Sequence, residues 1–134
     1  MSNTSFIISA EKGNQSDSTN QRNTLILLDM LEAAGLNVEV VVGMYKGTRE
    51  RSVLVKPSAY SAEETRSLLL TAAKNFQQES LLEFNNTGHA WLINPFTREE
   101  EFIGRLTLGD KVPQGTDSFT RLNSGQFLYA IDKD

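Results

Sequence analysis

"LNVEVVVGMYKGTRERSVLVK", residues 36–56, decides how the chain is read. Val38, Val40 and Val42 fall on one face of an extended segment under two-residue periodicity, and β-branched residues favour such a segment. "RSVLVK" (51–56) is a second run of strand formers, closed by Pro57. A hairpin is therefore predicted, with Tyr45, Arg49, Glu50, Arg51 and Ser52 gathered at the mouth of its second strand. The plain reading is a solvated turn in which Glu50 pairs with Arg49 or Arg51, a surface contact worth under about 1 kcal/mol. The sharper reading is that Glu50, flanked by Tyr45 and Ser52, offers a carboxylate to a ligand carrying an ammonium or sulfonium cation. A ring face would add about 0.5–2 kcal/mol of cation–π attraction to that carboxylate pairing.

Outward from the hairpin, "SFIISA" (5–10) is a short apolar strand that ends in the polar loop "EKGNQSDSTNQ". From about Ser18 the period changes. Leu25, Leu28, Leu31 and Leu36 recur at helical spacing, Ile26 and Ala34 lie beside them, and Gly35 stops the run. After the hairpin, Ser61 and Glu64 make an S-x-x-E capping box, followed by Leu68, Leu69, Ala72 and Phe76 as a buried stripe. "ESLLEF" (79–84), "HAWLIN" (89–94) and "EEFIGRL" (100–106) read as strands, and "GQFLYAI" (125–131) as a final one. The order β-α-β-β-α-β with appended strands predicts an α+β fold: a ferredoxin-like antiparallel sheet with two helices on one face, in a single domain over residues 1–134.

Composition narrows the chemistry. The 134 residues contain no cysteine, which removes disulfides, thiolate metal sites and cysteine nucleophiles. His89 is the one histidine, so any Ser-His-Asp triad would need it. A net charge of −4 offers no general attraction to nucleic acid. No apolar run approaches the roughly 20 residues that span a bilayer, and the start lacks a signal-peptide pattern, so a cytoplasmic protein is expected. Phosphate-binding glycine motifs, metalloprotease motifs and the nucleophile elbow are all missing.

Three further groups of residues stand beside the hairpin mouth. Ser9 and Ala10 end the first strand, and Asn20 and Arg22 lie near the start of the first helix, where backbone N–H groups bind carboxylates. Equally, Ser18, Thr19 or Asn20 serves only to cap that helix. Asn85, Asn86 and Thr87 offer polar groups in a loop before His89, although Asn-Asn-Thr-Gly is ordinary hairpin material. Gln78 and Glu79 follow the second helix, where a turn accounts for them equally well.

Taken in order, these motifs resemble the phage-encoded S-adenosylmethionine-degrading enzymes, the S-adenosylmethionine lyase family formerly described as hydrolases. The resemblance rests on Ser9-Ala10, Asn20 and Arg22, Gly43 and Tyr45, Glu50 and Ser52, Phe76-Gln78-Glu79, His89, and Val112-Pro113-Gln114-Gly115, and it runs over almost the whole chain. It implies cleavage of S-adenosylmethionine to 5′-methylthioadenosine and homoserine lactone, without metal or cofactor. The substrate's own carboxylate would be the nucleophile. It also implies a homotrimer with sites between subunits and a counter-defence or metabolic role in phage infection, in the host cytoplasm. Carried over by position, the acidic site residue is Glu50 and the site tyrosine is Tyr45. The third polar position falls at Asn85, Asn86 and Thr87, in place of the family's glutamine. Ser9, Ala10, Asn20, Arg22, Ser52, Gln78 and His89 complete the expected substrate-binding set. The competing class is a trimeric ferredoxin-like sensor that binds an adenosine ligand without cleaving it.

Overall fold

The computed structural model describes residues 3–45, 48–116 and 118–132, without the side chains of Tyr45, Ile131 and Asp132. Its elements run β1 (Ser5–Ile8), α1 (Asp17–Ala33), β2 (Asn37–Tyr45), β3 (Thr48–Lys56), α2 (Ala62–Asn75), β4 (Leu81–Phe84), β5 (His89–Ile93), β6 (Glu100–Gly109), β7 (Ser118–Arg121) and β8 (Phe127–Asp132).

The expected open ferredoxin-like sheet is not what the chain forms. The strands close into an antiparallel barrel in the order β1-β3-β2-β7-β8-β6-β5-β4. The C-terminal strands, expected only as appended ones, join both edges: β5 continues from β4, and β7 pairs with β2 from Val42↔Arg121 to Tyr45↔Ser118. The physical reason is edge satisfaction. An open sheet leaves two rows of unpaired backbone N–H and C=O groups, and closure pairs them.

The predicted hairpin is present and longer than read. β2 and β3 pair from Asn37↔Lys56 to Tyr45↔Thr48, so Glu50 stands within a strand opposite Gly43, not in a turn. Alternation then sorts β3 into two faces. Val53 and Val55 point outward with Phe6, Ile8, Ala10, Leu81 and Ile93, against Leu27 and Leu31 of α1 and Leu69, Leu70, Ala72 and Ala73 of α2. This helix-covered layer is the dry core, at about 1.5–3 kcal/mol per fully buried large aliphatic side chain. Glu50 and Ser52 point the other way, into the barrel.

Both helices are bounded by local chemistry. The capping box of α2 forms as predicted: Ser61 Oγ accepts the Glu64 N–H at 3.0 Å, and the Glu64 carboxylate accepts the Ser61 N–H at 3.1 Å. Its buried stripe is Leu69, Leu70, Ala72 and Ala73, with Leu68 and Phe76 half-buried beside it. In α1 the cap is Ser16, ahead of the three candidates, and the buried face is Thr24, Leu27 and Leu31. Leu25, Ile26 and Met30 are exposed. The four consecutive apolar residues Leu25–Leu28 allow more than one helical register, and packing on β2 and β3 selects Leu27. Gly35, at φ +85°, ends α1: Leu36 N–H reaches back to the Leu31 carbonyl at 3.1 Å. Among the described residues no helix is long and apolar enough to cross a membrane.

Candidate active site

A cavity of about 600 Å³ opens inside the barrel, at the end where β1 leaves the sheet. That volume suits a small-molecule site. Its floor is apolar, made by Ile7, Leu82, Leu92, Ile103, Leu106 and Leu128; Ser9, Glu11, Glu50, Ser52, Gln78 and Thr120 supply polar groups. Gly43 stands opposite Glu50, and a Cβ there would make ordinary contact, 3.6 Å from the Glu50 carbonyl and 3.7 Å from the Thr120 hydroxyl.

The rim is held by side chains of the β1–α1 loop. Glu11, although charged, is buried. Its carboxylate accepts from Arg51 Nε at 2.5 Å, from the Arg51 backbone N–H at 3.1 Å and from the Thr24 hydroxyl at 2.8 Å. Arg51 Nη2 reaches Asp17 Oδ1 at 2.8 Å. These two partners, Glu11 first, hold the guanidinium pKa above its ordinary value. Asn20 clasps Lys12, accepting its N–H at 2.9 Å and donating to its carbonyl at 2.8 Å. From the end of α2, Gln78 Nε2 donates to the Glu11 carbonyl at 3.1 Å, and Gln77 Oε1 accepts from Lys12 Nζ at 2.7 Å. Gln77 sits at φ 56°, the left-handed conformation that ends α2 and turns Gln78 back toward Glu11.

Glu50 is different. Among the described residues it makes no ion pair, since Arg51 is engaged by Glu11 and Asp17. Burial pushes its carboxyl pKa above the usual range, and the nearby Glu11 charge adds to this. A hydrogen bond from the Ser9 hydroxyl acts in the opposite direction. That hydroxyl carries one proton and also lies 3.3 Å from the Arg51 carbonyl, so it serves one acceptor at a time. A carboxyl in a partly apolar cavity with no cation of its own is suited to a cationic guest.

The predicted residues divide plainly. Ser9, Glu50, Ser52 and Gln78 are brought together at the cavity. Tyr45 ends β2, with its side chain outside the described residues. Ala10 faces the helix-packed core and does not line the cavity. Asn20 organises the rim loop through Lys12, and Arg22 is exposed on α1. Asn85 closes the β4–β5 turn, accepting from Thr87 N–H at 3.1 Å, Thr87 Oγ1 at 2.7 Å and His89 N–H at 3.0 Å. Asn86 is exposed, and His89 pairs Nδ1 with Thr87 Oγ1 at 2.7 Å and stacks on Phe102. None of Asn85, Asn86 and His89 lines the cavity.

Sequence reading missed Glu11, Lys12 and Thr120. Glu11 follows Ser9-Ala10 directly, and its signal was positional: a lone acid two residues beyond a strand residue already singled out. Thr120 lies in a four-residue strand with no pattern of its own.

No curated protein matches the chain. The S-adenosylmethionine lyase family model matches residues 6–131, from β1 to the last strand, and the chain belongs to that family.

Proposed function

We propose that the protein cleaves S-adenosylmethionine to 5′-methylthioadenosine and homoserine lactone. The observation that carries this reading is Glu50: a carboxylate turned into a cavity, without an ion-pair partner among the described residues, in a chain of this family. The α-ammonium of the substrate supplies the missing cation. A charge-assisted hydrogen bond of that kind fixes one end of the methionine moiety.

The chemistry then needs little from the protein beyond positioning. One carboxylate oxygen of the substrate attacks its own γ-carbon, the C–O bond of the lactone forms, and the Cγ–S bond breaks. The electron pair leaves with sulfur, turning the sulfonium into a neutral thioether. Charge balances without an added base, because the carboxylate and sulfonium charges cancel and the ammonium persists. Folding the chain into a near-attack arrangement is worth several kcal/mol or more. Ser9 and Ser52 line the wall beside Glu50, and the apolar floor excludes water that would compete with the carboxylate.

The reading extends to a homotrimer, whose subunits would bury exposed apolar side chains such as Leu25, Ile26 and Met30. Its biological counterpart is depletion of the methyl donor during phage infection, in the host cytoplasm. Incubation with S-adenosylmethionine followed by chromatography tests the chemistry: equimolar methylthioadenosine and homoserine lactone are expected. Homoserine formed directly would mean a hydrolase, and saturable binding without products would mean a sensor. Light scattering in solution tests the trimer.

A further inference from the structure

β1 stops short of β3. Their ladder runs Phe6↔Val55, Ile7↔Leu54 and Ile8↔Val53, and the same register would place Ala10 opposite Arg51. It does not continue. Instead the two backbone groups of Arg51 that face β1 are taken by side chains: its N–H by Glu11 at 3.1 Å and its carbonyl by Ser9 at 3.3 Å. Ser9 Oγ also accepts the Glu11 N–H at 3.0 Å, which ties the two halves of this clamp to each other. We propose that Glu11 is a positioning residue of this site: with Ser9 it replaces the missing backbone rung and holds the Glu50–Arg51–Ser52 segment so that Glu50 and Ser52 face the cavity.

Two features support a role beyond filling a gap. Glu11 pairs the Arg51 guanidinium, at 2.5 Å from Nε, so this flanking cation is already engaged. Glu11 is also fixed from behind by Thr24 of α1 and through its carbonyl by Gln78 at the end of α2, so both helices bear on the clamp. The charged groups around Glu50 are Glu11 and Lys12 of the rim loop, Glu79 after α2, and Arg49 and Arg51 of its own strand, with Asp17 of α1 behind Arg51.

The inference rests on Glu50 as the substrate anchor, and its test is chosen to stand apart from turnover. Carboxyl-carbon NMR of the unliganded protein, with Glu50→Gln for assignment, reads the Glu50 titration midpoint directly. In Glu11→Gln a buried negative charge is lost and Arg51 is released, so the midpoint moves down, and kcat/KM falls by up to about a hundredfold through misplacement. A folded Glu11→Gln protein with an unmoved midpoint overturns the proposal. Should that variant fail to fold, Ser9→Ala deletes one atom of the clamp, and amide hydrogen exchange at Arg51 is expected to quicken. Unchanged exchange there overturns the proposal as well. If the parent cleaves no S-adenosylmethionine at any pH, the functional reading fails while the NMR comparison still decides this one.

Discussion

The two faces of the sheet formed by β1, β3 and β4 use the same residue types to opposite ends. On the outer face, under the helices, Glu83 is buried and Arg66 of α2 meets it twice, at 2.5 and 2.8 Å. That contact, above all its hydrogen bonds, holds the Arg66 pKa above the ordinary value. On the inner face Glu50 is also withdrawn from water, yet no described cation pairs with it. Burying a charge is unfavourable unless it is paired, so the outer face is built for stability and the inner face carries an unmet requirement. The contrast places the proposed site within one strand's alternation.

The comparison can be broken most sharply by trading the faces' roles. Leu69→Ala removes a fully buried outer-face side chain and should cost about 2–5 kcal/mol of unfolding free energy, read from the denaturant midpoint. Turnover per folded molecule should stay near the parent's. Glu50→Gln should do the reverse. Losing one partner of a buried charge pair costs about 2–5 kcal/mol, or roughly 30- to 3,000-fold in kcat/KM at tenfold per 1.4 kcal/mol. A parental rate of methylthioadenosine release from that variant would remove Glu50 from the mechanism.

Stability of the same variant carries a sign that sharpens the contrast. The raised Glu50 pKa means that the folded state holds this proton more tightly than the unfolded one. Its contribution to stability is therefore full below the unfolded pKa and is lost as pH rises through the folded pKa. Thermal unfolding of Glu50→Gln at neutral pH should occur at the parent's temperature or above it, and the gap should close in acid. Substrate affinity of the parent should weaken as pH falls through the same range. Arg66→Ala, which strands Glu83, should destabilise by roughly 1–3 kcal/mol with little effect on kcat/KM. Smallest of all, Ser61→Ala should cost about 1 kcal/mol through loss of the α2 cap.

How much of this was legible before the coordinates depends on where each signal is stored. The hairpin and the α2 cap are local patterns, carried by two-residue alternation in one and S-x-x-E spacing in the other, whereas Glu50 was read at the turn because its place in the strand is fixed by pairing with Gly43. Barrel closure is not local. It depends on β7, whose "SFTR" has neither an apolar run nor a turn signature, and on pairings such as Val42↔Arg121 across the chain. The open-sheet expectation failed there. The α1 stripe slipped because Leu25–Leu28 is apolar on every side, so burial is decided by the strands beneath. Asn85 and His89 were legible both as polar groups and as ordinary hairpin material, and their hydrogen bonds with Thr87 and with each other fit the second reading.

Closure of the barrel also sets when the protein can act. The cavity wall includes Leu128 and Ala130 on β8, while Ser9 and Glu50 come from its first half. β8 pairs with β6 and β7 and so closes the barrel between them. Until β8 joins, β6 and β7 each present an open margin, and Leu106 and Thr120 lack their partners Ala130 and Leu128. Closure of the cavity wall therefore waits on β8, and a chain truncated before residue 127 should be inert while still carrying both helices and Glu50.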